Sequence, residues 1–354
     1  MMTAREKLLA EAAKRILITD GAFGTEIQNW KLAEADYAGG LGLTHDQKGN
    51  NDILALTKPE VPASIHRAYF EAGADIAETN TFSANRISQA DYGAEHLVRE
   101  INLESAKMAR AIADEFEAKD AKNGIRRPRF VAGAIGPTNK TLSLSPDVND
   151  PGYREIDFDY LKDVYREQID ALVEGGIDFV LIETVFDTLN AKAGVMAAIE
   201  AGEALGRDLP IMLSMTLTDL SGRNLSGHTV EAFWHAVRHA KPVTIGLNCS
   251  FGAEQLRPHV KTLSGIADTL IMVYPNAGLP NELGAYDEEP ETTAGLVGEW
   301  AEAGQVNILG GCCGSTPAHI KAIADGVSGL APRRIVTPEV RTRLAGLEPM
   351  IMAA

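Results

Sequence analysis

Short apolar runs of β type alternate along the chain with longer stretches whose apolar residues recur every three to four positions. The runs fall at 16–22, 74–81, 130–136, 178–184, 210–217, 244–250, 270–276 and 307–312. Several are almost wholly apolar, as strands buried on both faces must be. The spacing between them predicts helices near 58–73, 93–118, 155–176, 188–205, 229–240, 253–264, 290–304 and 315–328. Thr316 and Pro317 suit an N-cap and a first helical turn, and Gly175-Gly176 suits a helix end. Eight strands alternating with eight helices predict an α/β fold, a (β/α)8 TIM barrel. A doubly wound open sheet is the other architecture this pattern allows. One domain is expected over 1–354, with an N-terminal helix at about 3–15 and a C-terminal tail at about 332–354. The connections at about 24–57 and 137–154 are long for barrel loops, as lids and pockets at one rim often are.

Composition narrows the function classes. The chain has 354 residues, 45% hydrophobic and 23% charged, close to the globular average. Lys plus Arg total 33 against 49 Asp plus Glu, a net charge of −16, which argues against nucleic acid or an anionic membrane as partner. No apolar run is long enough to cross a bilayer, and the first twenty residues lack the apolar core of a secretion signal. Three cysteines, two of them adjacent, make no disulfide framework, so a cytoplasmic location is expected.

Barrel chemistry sits at the C-terminal ends of the strands. There the chain places Asp20 before Gly21-Ala22-Phe23-Gly24, Glu78-Thr79-Asn80-Thr81, Glu183-Thr184, Asn248-Cys249, Asn276 and Gly310-Gly311-Cys312-Cys313-Gly314. All three cysteines thus fall at one rim. A single free Cys is commonly a small buried hydrophobe. Three converging thiolates instead make a soft-metal site, and zinc with an open fourth position is the catalytic arrangement. Asp20 and Glu183 could cap helices, or could receive a substrate ammonium. The turn at 21–24 could present amides to a carboxylate. Together these groups describe a site for a zwitterionic amino acid bearing a thiol. The aromatics Tyr69, Phe70, Phe179, Phe186, Phe233 and Trp234 read as packing residues, and the scattered histidines as solvated-face or packing residues.

These residues also carry a family resemblance. The combination of 20–25, Asn248-Cys249, 275–278 and 310–314 resembles the homocysteine S-methyltransferase family. The stretches 58–82, 136–156, 182–194, 218–234 and 274–288 are most similar to the homocysteine-binding module of cobalamin-dependent methionine synthase. The likeness runs from about 14 to 350. It implies a (β/α)8 homocysteine-binding barrel, with zinc held by Cys249, Cys312 and Cys313. It further implies that Asp20 and Glu183 receive the homocysteine ammonium, that amides around Gly21, Ala22 and Phe23 receive its carboxylate, and that Asn276 can occupy the zinc when homocysteine is absent.

The full synthase also has folate-binding, cobalamin-binding and reactivation modules, whereas this sequence carries no DxHxxG cobalamin motif. The resemblance therefore leads to one component of a split methionine synthase, methylating homocysteine from methylcobalamin. The cobalamin-binding and folate-binding components would be partner chains. No separate general base is expected, because the donor leaves as a stable species. Betaine or S-methylmethionine as donor is the alternative within the class. A zinc-bearing scaffold that docks a corrinoid protein, and a zinc-free aldolase-type barrel, are the alternatives outside it.

Overall fold

The computed structural model describes residues 2–352. Eight parallel strands form its central sheet: β1 (Leu17–Ile18), β2 (Ile76–Glu78), β3 (Phe130–Ile135), β4 (Phe179–Val185), β5 (Ile211–Met215), β6 (Thr244–Gly252), β7 (Leu270–Asn276) and β8 (Ile308–Leu309). Their order is β1-β8-β7-β6-β5-β4-β3-β2. A parallel bridge between Thr19 and Ile76 joins the two ends, supported by Asp75 N–H donating to Ile18 O at 2.6 Å. That closure makes the sheet a (β/α)8 barrel and excludes the open doubly wound alternative. The outer helices are Glu60–Ala72, Val98–Lys122, Phe158–Glu174, Thr188–Leu205, Val230–Val237, Ala253–Ile266, Pro290–Glu302 and Pro317–Gly326.

Side chains sort by the period of two along each strand. Leu17, Ile76, Phe130, Phe179, Leu181, Met212, Leu270, Met272, Tyr274 and Ile308 fill one cluster inside the barrel. Their neighbours Ile18, Val131, Val180, Ile182, Leu213, Ile245, Val273 and Leu309 face the helices in the other. Continued upward, the inner file carries Glu78, Glu183, Ser214, Asn248 and Asn276. Cys312 packs against its top. The polar rim is therefore the upper end of the same register that builds the core.

The N-terminal helix is Ala4–Ala12, started by a reciprocal capping box between Thr3 and Glu6. Its Leu8 and Ala12 join the interior cluster, so the helix plugs the bottom of the barrel, opposite the site. In the tail, buried Arg333 donates to the carbonyls of Ser264, Ala267 and Thr269. A two-stranded hairpin, Arg343–Ala345 with Pro349–Ile351, follows it. The expected tail thus holds a strand pair that the sequence pattern did not announce. The long first connection contains the short helices Phe23–Asn29, Glu34–Ala38 and Leu54–Thr57 rather than irregular loop.

Candidate metal and substrate site

The cysteines reach one point by two different backbone devices. On β6 the ladder to β7 breaks between Asn248 and Gly252. Cys249 and Ser250 sit there with φ of +61° and +59°, a left-handed pair costly for residues with a Cβ. The resulting bulge turns Cys249 across the barrel mouth. On β8, pairing ends at Leu309 and the glycines take over. A Cβ at Gly310 would strike Thr19 and lie 2.8 Å from the Asp20 carbonyl, so only glycine lets β8 close against β1. The vicinal pair is then locked to β7, with Cys312 N–H donating to Pro275 O at 2.7 Å and Ala277 N–H to Cys313 O at 2.9 Å. Gly314, at φ +80°, turns the chain beneath Tyr286 into the helix at Pro317.

As a result Cys249 Sγ and Cys313 Sγ are 3.8 Å apart, and all three sulfurs lie within 4.8 Å of one another. All are free thiols and partly exposed. Hydrogen bonds from its two partners pull Cys313 down to about 3, against burial, with Tyr286 adding to the effect. The same sharing of protons, together with burial, pushes Cys312 well up. Cys249 rises to about 11, because its bond to Cys313 and its burial outweigh the opposing bond to Cys312. Without a cation the cluster holds one negative charge. A cation would be needed for all three to ionise.

Three carboxyl groups share the mouth. Asp20 is buried at the end of β1, accepting from Glu78 N–H at 2.9 Å and from the Thr19 hydroxyl at 3.3 Å. Burial pushes Asp20 well above the ordinary carboxyl range despite those bonds, and Glu183 adds repulsion. Burial does the same to Glu78, with Glu183 and Asp20 both repelling it. Glu183 is pushed up to about 7, chiefly by burial, opposed by the Tyr274 hydroxyl and reinforced by the negative charge of Cys313. Tyr274 donates to Glu183 Oε2 at 3.2 Å from the neighbouring interior position on β7. Two buried acids and the half-buried Glu78, with no cationic side chain bonded to them among the described residues, form a site preloaded for a positive charge.

Gly21 lies against Tyr69 and Ser315, where a Cβ would come within 2.8 Å of the Tyr69 ring. The Ala22 N–H donates to Ser315 Oγ at 3.2 Å, while Phe23 opens a short helix whose first-turn amides point away from any helical acceptor. Tyr69 is a packing residue with a further task, since its hydroxyl donates to Ala22 O at 3.1 Å and Ser315 O at 3.3 Å. It ties the turn after β1 to the turn after β8. Asn276 is buried and its Oδ1 has no hydrogen-bond partner among the described residues.

The homocysteine S-methyltransferase family model matches residues 17–327, the whole barrel. The chain belongs to that family. It is therefore a methyltransferase, and homocysteine is the expected substrate. The barrel also resembles solved structures of the homocysteine methyltransferase MmuM from Escherichia coli. The metallated form superposes with a TM-score of 0.70 at 23% identity, covering 91% of this chain and 99% of that one. The oxidized form gives 0.69 at 23%, and the apo form 0.64 at 22%, over the same shares.

The sulfur geometry of this family member fits a tetrahedral ion. For metal–sulfur distances of about 2.3 Å, the edge of a tetrahedron is about 3.8 Å. That is the Cys249–Cys313 separation and lies inside the 4.8 Å envelope of all three. The orphaned Asn276 oxygen is a further neutral donor without a protein partner.

Four residues at the mouth were not assigned roles from the sequence. Glu78 ends a strand just as Asp20 and Glu183 do, and that shared position was its signal. Tyr274 reads as one more aromatic in a β run, although a buried Tyr hydroxyl requires a partner. Asn248 sits beside Cys249 and bonds to Ser214, Thr184 and Cys312. Tyr286 comes from the connection after β7, and no local pattern places it over Gly314.

Proposed function

We propose that this barrel is a zinc-dependent homocysteine S-methyltransferase that makes methionine, taking the methyl group from methylcobalamin presented by a partner protein. The observation that carries the reading is the gathering of three sulfurs within 4.8 Å of one another beside the buried carboxyls of Asp20 and Glu183 and the half-buried Glu78. Cys249, Cys312 and Cys313 would hold the ion. When bound there, zinc would supply an ionised homocysteine sulfur held at the barrel mouth at neutral pH.

The chain's own residues do the rest. Asp20 and Glu183, with Glu78 behind them, take the homocysteine ammonium and are relieved of mutual repulsion by it. Of the amides around Gly21, Ala22 and Phe23, those of Gly21 and Phe23 take its carboxylate, while the Ala22 N–H is held by Ser315 Oγ. Tyr274 holds Glu183 in the orientation that faces the ammonium. Asn276 offers its free oxygen to the position the substrate sulfur will occupy. No side chain need move a proton to the departing corrinoid, so much of the rate comes from alignment. We read residues 1–354 as one homocysteine-binding domain and place it in the cytoplasm. Among the described residues no helix is long and apolar enough to cross a membrane. The similarity of 58–82, 136–156, 182–194 and 274–288 to the methionine synthase module favours a corrinoid donor.

The test offers purified, zinc-loaded protein homocysteine with methylcobalamin, S-methylmethionine or betaine. Methionine from methylcobalamin is expected, in free form or on an added corrinoid protein. Turnover with betaine or S-methylmethionine and none with methylcobalamin would replace the donor. A scaffold would give no methionine from any of them.

A further inference from the structure

We propose that Asn248 is a positioning residue for methyl transfer, its side-chain amide donating to the Cys312 sulfur and setting how much charge that ligand keeps. The inference rests on the zinc reading above. Asn248 is buried on the inner face of β6, one residue before Cys249. Its orientation is dictated by chemistry. Oδ1 accepts from the Thr184 backbone N–H at 3.1 Å and from the Ser214 hydroxyl at 2.6 Å. A backbone N–H can only donate, so the oxygen must occupy that end of the amide. Nδ2 therefore faces the other way, giving one hydrogen to Thr184 Oγ1 at 2.8 Å and directing one at Cys312 Sγ, 3.9 Å away.

Thr184 has φ of +54°, an unusual state for a β-branched residue, and it brings both its N–H and its hydroxyl to this one side chain. Residues from β4, β5 and the turn after β8 thus converge on a single amide, and they leave its second hydrogen for the sulfur. A hydrogen bond to a coordinating thiolate withdraws electron density from it. With Cys312 made a weaker donor, the ion keeps more pull on the incoming fourth sulfur. Orienting partners of this kind typically contribute 10–100-fold in metal affinity or activity.

The experiment reads the sulfur directly. Full-length protein is stripped of metal and loaded with Co2+, whose charge-transfer absorption from cysteinate reports the sulfur's electron density. In Asn248→Ser the lowest charge-transfer band should move to longer wavelength, with methyl transfer by the zinc-loaded protein falling roughly 10–100-fold. Ser214→Ala removes one anchor but leaves the Thr184 N–H, so its band should stay in place. If Asn248 only packs, both variants lose thermal stability and neither band moves, which overturns the proposal. A measurement on the unmodified protein guards against a variant that fails to fold. Loaded with 113Cd and carrying 15N-labelled asparagine, it should show one side-chain amide proton coupled to cadmium. Absence of that coupling also overturns the proposal. A parent protein with no cysteinate charge transfer at all contradicts the zinc reading itself, so the two failures are distinguishable.

Discussion

Glu183→Gln should stabilise the ligand-free protein while weakening its affinity for homocysteine. Glutamine has the shape of the acid and can still accept the Tyr274 hydroxyl, which lies 3.2 Å from Oε2. What disappears is a buried charge. In the metal-free protein Glu183 is pushed up from 4.5 to about 7, chiefly by burial. Its folded value is raised, so the penalty is absent at low pH, grows as pH rises from about 4.5 toward 7 and levels off above that. At about 1.36 kcal/mol per tenfold change in proton affinity, the penalty is about 1 kcal/mol at pH 5 and about 3 kcal/mol at pH 8. For a chain this long, about 3 kcal/mol corresponds to a melting-temperature gain of roughly 4–5 °C. The assay is thermal unfolding of reduced, metal-free parent and variant between pH 5 and 8. The gap should widen with pH. A variant no more stable than the parent at pH 8 would mean that Glu183 is already compensated, and the ammonium pocket would lose its physical basis.

Other consequences are equally direct. Homocysteine affinity should fall as pH drops, because burial raises Glu183 and protons compete with the ammonium for its ionised form. In Glu183→Gln the slope of log affinity against pH should be flatter by one proton, which titration calorimetry can read. Cys312→Ser should lose metal and methyl transfer but unfold within a few degrees of the metal-free parent, since the barrel core does not rest on the ion. A large stability loss would instead mark a structural zinc site. Gly310→Ala should weaken metal binding and cost roughly 2–4 kcal/mol, because the added Cβ collides with Thr19 and forces β8 from β1. Unchanged stability and metal content would refute that account of how β8 closes.

Much of this was readable in the residues, and the parts that were not have a common cause. Each run of alternating or continuous apolar residues became a barrel strand, because burial on both faces leaves a local composition that needs no tertiary knowledge. The three cysteines and Asp20, Glu183 and Asn276 stood out because polar residues at the ends of buried strands contradict their surroundings. The bulge at Cys249 did not show, since Asn248-Cys249-Ser250 contains no glycine to announce left-handed backbone. Tyr274 and Asn248 were hidden for another reason. Their roles are defined by partners 91 and 64 residues away, on strands that meet only once the barrel closes. The C-terminal hairpin escaped because its pairing is held by packing on the helix Val230–Val237, not by its own sequence.

X-ray absorption at the zinc edge bears most directly on the claim that three sulfurs hold one ion open to a fourth. Protein as purified should contain one zinc with three sulfurs at about 2.3 Å and one oxygen or nitrogen. Adding homocysteine should replace that light atom with a fourth sulfur at the same distance. A site that already has four sulfurs, or a light-atom ligand that homocysteine never displaces, would contradict the account.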